Sequence, residues 1–173
     1  MSTALVIIDV QRGMFGDPNM APHDGAAAVA RMRGLLDGAR EAKIPIFFVQ
    51  HDGGEGDLLE AGTDGFPFVA ELTPQASEDV TVKRQSNAFE GTDLRDKLHR
   101  AGIGHLIVCG MQTEFCIDAT VRGAIATGFE VTLVSDAHTT FDAEKASAER
   151  IIAEHNEELG KMVTLVPAAE IGF

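Results

Sequence analysis

The sequence predicts an α/β fold of three layers, with a six-stranded, mainly parallel sheet and helices on both faces. Three observations carry this. Short apolar runs rich in β-branched residues recur six times, longer segments of helical period separate them, and the runs are apolar throughout, as in strands covered on both sides. The 173 residues suit a single domain spanning 1–173, with no internal repeat and no low-complexity linker.

Each element follows in order. The first strand is Ala4 to Val10, apolar except for Asp9. In the helix after it, Val29, Met32, Leu35, Leu36 and Ala39 fall at helical spacing; it stops before Ile44-Pro45, because the residue ahead of a proline is pushed out of the helical region. Ile44 to Gln50 is the second strand. His51 to Pro74 holds five glycines among scattered Asp and Glu and reads as a long lid or binding loop. Val80 to Lys83 is the third strand, and a second helix from Asp93 to Arg100 is closed by Gly102. His105 to Cys109 is the fourth strand. Ile117, Val121, Ala124 and Ile125 then share one face of a third helix that Gly128 stops. Val131 to Ser135 is the fifth strand, Ala143 to Glu158 a fourth helix, and Met162 to Val166 the last strand.

Composition narrows the function. Fourteen Lys and Arg against 27 Asp and Glu give a formal charge of −13, which repels phosphate backbones and anionic lipid surfaces; no nucleic acid and no membrane are expected as partners. No run approaches the roughly eighteen apolar residues of a membrane span, and no basic segment precedes the first run, so the expected location is cytoplasmic. In that reducing compartment Cys109 and Cys116 stay as thiols, and two cysteines build neither a disulfide framework nor a four-thiolate zinc site.

In open parallel sheets ligands bind beyond the carboxyl ends of the strands. The polar residues there are Asp9, then His51 with Asp52, Lys83 with Arg84, the stretch Gly110 to Cys116, and Asp136 with His138. A carboxylate in a run as apolar as Leu5 to Val10 needs a cationic or hydrogen-bonding partner, and Lys83 carries the charge Asp9 requires. Cys109 closes an apolar strand and reads as core. Cys116 opens the third helix, where unpaired N–H groups favour a thiolate, although a small packing residue fits there too. His138 reads as a loop histidine satisfied by backbone, with a base for Cys116 as the alternative, and Asp136 as the cap of a turn. Phe15, Phe66, Phe89 and Phe115 are candidates for the wall of an apolar pocket or for the core.

Asp9 with Gln11, Lys83, Gly110-Met-Gln-Thr-Glu-Phe-Cys116-Ile-Asp-Ala-Thr120-Val-Arg-Gly-Ala124 and Gly128-Phe-Glu-Val131-Thr-Leu-Val-Ser-Asp136-Ala137 resemble, in order and spacing, the isochorismatase-like cysteine hydrolases. That family includes nicotinamidases, N-carbamoylsarcosine amidohydrolases and isochorismatases. The likeness runs from Leu5 to Val166. It implies a Rossmann-like sheet and hydrolysis of a C–N bond (amide, lactam or carbamoyl) in a small-molecule substrate. Cys116 would be the nucleophile that forms a thioester, Asp9 the acid and base, and Lys83 their electrostatic partner, which with the helix N-terminus would lower the thiol pKa. It further implies a cis peptide between Met111 and Gln112, an oxyanion hole formed by the amides of Gln112 and Cys116, and a homo-oligomer, dimer or tetramer. The substrate-binding candidates are Gln11, Phe15, His51, Phe66 and Phe115.

The chain departs from the pattern in places. Nicotinamidases of the family hold a metal with an Asp and two His; here the region reads Gln50-His51-Asp52-Gly53-Gly54, with no second His until His99. A catalytic zinc takes three protein ligands, so no metal and no cofactor are expected. Gln112-Thr113-Glu114 is similar to the streptothricin-type lactam hydrolases. Vinyl ether hydrolysis, the isochorismatase reaction, is the alternative chemistry, and a catalytically silent binding domain on the same fold is the alternative class. An aspartate-nucleophile phosphotransferase would want a second Asp where Gln11 stands, and Gly102-Ile-Gly104 precedes its strand, unlike a dinucleotide-binding turn.

Overall fold

The structure, a computed structural model, describes residues 2–17 and 20–173. Six strands form one sheet: β1 (Ser2–Ile8), β2 (Ile46–His51), β3 (Asp79–Lys83), β4 (Ile103–Met111), β5 (Glu130–Thr139) and β6 (Thr164–Val166). All pair in parallel, in the order β3-β2-β1-β4-β5-β6. Period-two alternation divides the core between the faces. Leu5 and Ile7 of β1 pack with Met32, Leu35 and Leu36 of helix α1 (Gly25–Glu41) on one side. Ala4, Val6 and Ile8 pack on the other, with Leu94 and Leu98 of α2 (Leu94–Arg100), Val121 and Ala124 of α3 (Asp118–Ala126), and Leu159 of α4 (Ala148–Leu159). Among the described residues no helix is long and apolar enough to cross a membrane.

Several boundaries differ from the expected ones, each for a local reason. β1 ends at Ile8 because Asp9 takes φ +53, a left-handed turn that no strand continues through. β5 runs on to Thr139: two residues from Val108 to Gly110 on β4 match five from Leu133 to His138 on β5, so a bulge re-aims the strand and adds His138 to it. Helix α4 starts at Ala148, not Ala143. Ser147 is its cap, accepting from the Arg150 N–H at 3.3 Å, and Asp142 accepts from the Ala148 N–H at 2.8 Å. The segment after His51 is not loop throughout, since Phe68, Val69 and Leu72 enter the core on the α1 side and the Phe68 ring lies 5.2 Å from that of Phe48.

The chain leaves β1 for β2, while β4 pairs with the other edge of β1; the switch point of the sheet therefore lies between β1 and β4. The backbones approach closely there. Gly110 has φ +131, and a Cβ at that position would run into the Ile8 carbonyl. Gly110→Ala combines a clash with a disallowed φ, a loss of about 3 kcal/mol. In a chain of this size that lowers the thermal midpoint by about 6–12 °C, readable by scanning calorimetry.

Candidate active site

Asp9 follows β1, Lys83 ends β3 and Cys116 follows β4, and the fold brings all three to the switch point. Lys83 reaches across β2, whose His51 is its partner in register. Both charged side chains are buried, and Lys83 Nζ lies 2.7 Å from Asp9 Oδ2. Three further acceptors surround Lys83 Nζ: His51 Nδ1 at 3.1 Å, the Gln85 carbonyl at 3.0 Å and Cys116 Sγ at 3.1 Å. Asp9 is held by the Lys83 charge, with the Cys116 thiol as its other polar neighbour. Asp9, His51 and Cys116 each place one polar atom within 4.8 Å of the others.

Cys116 does not open an α-helix, as its position suggested. It is the fourth residue of a π-helical turn, Thr113–Ile117, that precedes α3, with the Ile117 N–H donating to the Gln112 carbonyl at 3.1 Å. Such turns are frequent at functional sites because the wider loop re-aims a side chain. Nor is the resting thiolate expected from Lys83 found. Burial, and then the Asp9 charge, push the Cys116 thiol up to about 12, and the pull of Lys83 does not offset them. Burial likewise raises the Asp9 carboxyl, against the opposing influence of Lys83. Burial and then Lys83 lower His51, so its neutral ring accepts at Nδ1 and carries its proton on Nε2. Cys109 is a core thiol of β4, pushed up to about 12 by burial.

A cavity of about 280 Å³ opens onto Asp9 and Cys116 and is lined also by Met14, His51, Asp57, Leu58, Leu59, Ser86, Gln112 and Phe115. The Met111–Gln112 peptide before the π-turn is cis. Of the expected substrate-binding residues, His51 and Phe115 line this cavity and Gln11, Phe15 and Phe66 do not. Gln11 is wholly buried, with its amide occupied: Nε2 donates to the His51 and Phe66 carbonyls at 2.9 and 2.8 Å, and Oε1 accepts from the His51 N–H at 2.8 Å. It clips the long loop to the end of β2. Phe15 packs on the α1 side of the core, and Phe66 contributes its carbonyl to Gln11 and Gln50. Met14, Asp57, Leu58, Leu59 and Ser86 had no sequence signal, because loop residues have no period to betray which way they face. Ser86 is anchored by Thr120 of α3, whose hydroxyl donates to its carbonyl at 3.4 Å.

His138 is a satisfied histidine, but side chains satisfy it rather than backbone. Nδ1 accepts from the Thr113 hydroxyl at 2.9 Å and Nε2 donates to Asn156 Oδ1 at 2.9 Å, which ties the π-turn to α4 through β5 and leaves no base for Cys116. Asp136 lies within β5 and does not cap the turn that follows it; its Oδ1 accepts from the Ala168 N–H at 2.7 Å, at the start of a distant 3-10 turn.

A nicotinamidase-type metal does not fit these residues. Both oxygens of Asp52 are taken, Oδ2 by Arg84 at 2.8 Å and Oδ1 by the Gly54 and Ala61 N–H groups at 3.1 and 3.2 Å, and His51 Nδ1 faces Lys83. Between Asp9, His51 and Cys116 the Lys83 ammonium already serves as the cation.

A doubly wound parallel sheet with a thiol, a carboxylate and an ammonium gathered at its switch point defines a hydrolase of the isochorismatase class. The chain belongs to the isochorismatase family: the Isochorismatase domain model matches residues 3–158. It is 37% identical to the isochorismatase family protein YddQ of Bacillus subtilis over 142 residues, which cover 81% of this chain and 79% of that one. It is 35% identical to a streptothricin hydrolase of Streptomyces noursei over 83% of this chain but only 51% of the other, so it spans about half the length of that relative. The crystal structure of an isochorismatase from Pseudomonas putida superposes with a TM-score of 0.91 at 31% identity, covering 98% of this chain and 89% of that one.

Proposed function

We propose that the protein is a cysteine hydrolase that opens a C–N bond (amide, lactam or carbamoyl) of a small molecule by way of a thioester at Cys116. One observation carries the reading: a buried carboxylate, Asp9, and a neutral thiol, Cys116, share one ammonium, Lys83 Nζ, at 2.7 and 3.1 Å. An acceptor in that state is a base in waiting. As Sγ attacks the carbonyl carbon, the thiol proton passes to Asp9, while the Lys83 N–H at 3.1 Å stabilises the sulfur charge as it develops. Asp9 returns the proton to the departing nitrogen, the C–N bond breaks, and the acyl group stays on sulfur. Water then gives a proton to Asp9 and attacks the thioester, releasing the acid and regenerating the thiol. The backbone N–H groups of Gln112 and Cys116 are the proposed oxyanion donors, each worth about 3–4 kcal/mol in comparable sites.

The test is amine or ammonia release over a panel of small amides, lactams and carbamoyl compounds, with mass spectrometry of acid-quenched turnover mixtures. The expected result is an acyl adduct on the peptide that contains Cys116. Turnover with no adduct, undiminished after Cys116 is blocked, would overturn the reading.

A further inference from the structure

The cavity contains almost no positive charge to offer a ligand. Among the described residues, and apart from the Asp9–Lys83 pair, Asp57 is its one charged lining group, and burial and Lys83 keep His51 neutral. Asp57 and Leu58 also line a second cleft of about 530 Å³ that includes Asp17, Asp64 and Met20, with no Lys or Arg among the described residues, so the two spaces meet across a carboxylate and an apolar side chain. The segment from Ile44 to Val82, which supplies His51, Asp57, Leu58, Leu59 and Asp64 to these walls, holds no Lys or Arg. Arg84, the first basic residue after Lys83, is engaged with Asp52. The wholly buried Asp9 opens onto the same cavity.

We propose that the site selects its substrate by charge: it accepts an uncharged C–N group that carries a cationic arm, an ammonium or guanidinium, and rejects anionic molecules. The reacting group lies at Cys116, the apolar body lies against Leu58, Leu59 and Phe115, and the arm passes Asp57 toward Asp64. An anionic substrate would meet Asp57 and Asp9 with the Lys83 charge already balanced by Asp9. The choice of substrate class rests on the hydrolase reading above, but the charge selectivity of the pocket does not.

The test therefore reads the pocket through Cys116 itself. Labelling rates of the full-length protein are compared for three methanethiosulfonates, one with a trimethylammonium arm, one with a sulfonate arm and one with a methyl group, each divided by its rate with a small free thiol. Working at 0.5 M salt screens the −13 charge of the whole chain, so that only groups at short range act. The cationic reagent should outpace the anionic one by about tenfold or more at Cys116, the size expected of a single carboxylate at close range in a partly shielded site. In Asp57→Asn, which keeps an oxygen for the Leu59 N–H, that ratio should fall at least about threefold. Equal rates for the two reagents, or a ratio that Asp57→Asn does not change, would overturn the proposal. Charge-blind labelling together with a trapped acyl adduct would leave the hydrolase reading standing alone; selective labelling with no adduct from any amide would do the reverse.

Discussion

Cys116→Ser is expected to lose amide hydrolysis by about 10³-fold or more while unfolding at nearly the wild-type temperature. The serine hydroxyl replaces sulfur as the acceptor for Lys83 Nζ, so the buried ion pair keeps its neighbours and the π-turn its packing. The chemistry does not survive the exchange. A hydroxyl is far less acidic than a thiol, and a lone carboxylate is too weak a base to ionise it, whereas serine hydrolases recruit a histidine for that purpose. Of the two histidines near the turn, His138 is bound at both nitrogens by Thr113 and Asn156, and His51 has its Nδ1 lone pair taken by Lys83. Steady-state rates and a melting curve on the same preparation measure both halves of the expectation. Activity within tenfold of wild type would mean that Asp9 and water act without a covalent step, and would move the reaction toward vinyl ether hydrolysis.

Asp9→Asn should be about equally inactive, yet its thiol should react more readily with alkylating reagents. After burial, the charge of Asp9 is the largest influence holding the Cys116 thiol up at about 12. Removing an anion beside an acid stabilises the conjugate base, so the pKa falls; Lys83, relieved of its counter-ion, pushes it the same way. The pH–rate profile for iodoacetamide at Cys116 should shift toward lower pH, with faster labelling at any fixed pH below the wild-type midpoint. Asparagine tolerates the left-handed φ of +53 at this position, so the variant should fold. An unchanged midpoint, or a rise, would show that Asp9 does not govern the thiol, and the proton transfer from Cys116 to Asp9 would have to be abandoned.

Much of the architecture was legible in the sequence. The six strands could be read because each is an apolar run of β-branched residues bounded by helical periods, and every one appears, at slightly different limits. The Asp9–Lys83 pair was legible for an energetic reason: two charges at the ends of buried strands require each other, and they lie 2.7 Å apart. Three features were not legible. Gln11 stood beside the motif and yet serves the loop, because the acceptors that use its amide are backbone carbonyls, and a sequence does not reveal where those point. The π-turn adds a residue to a helical pattern whose apolar positions look ordinary. The protonation state of Cys116 depends on burial and on a carboxylate more than a hundred residues away along the chain, and local position gave the opposite sign.

That protonation state has a consequence for the lifetime of the protein. Peroxide and other electrophiles attack thiolates, and oxidation beyond the sulfenic acid is largely irreversible. A cysteine that borrows its reactivity from a neighbouring base only when a carbonyl arrives is stored in its inert form between turnovers. On the proposed mechanism, the burial and the Asp9 charge that make Cys116 a reluctant acid therefore also act as its antioxidant.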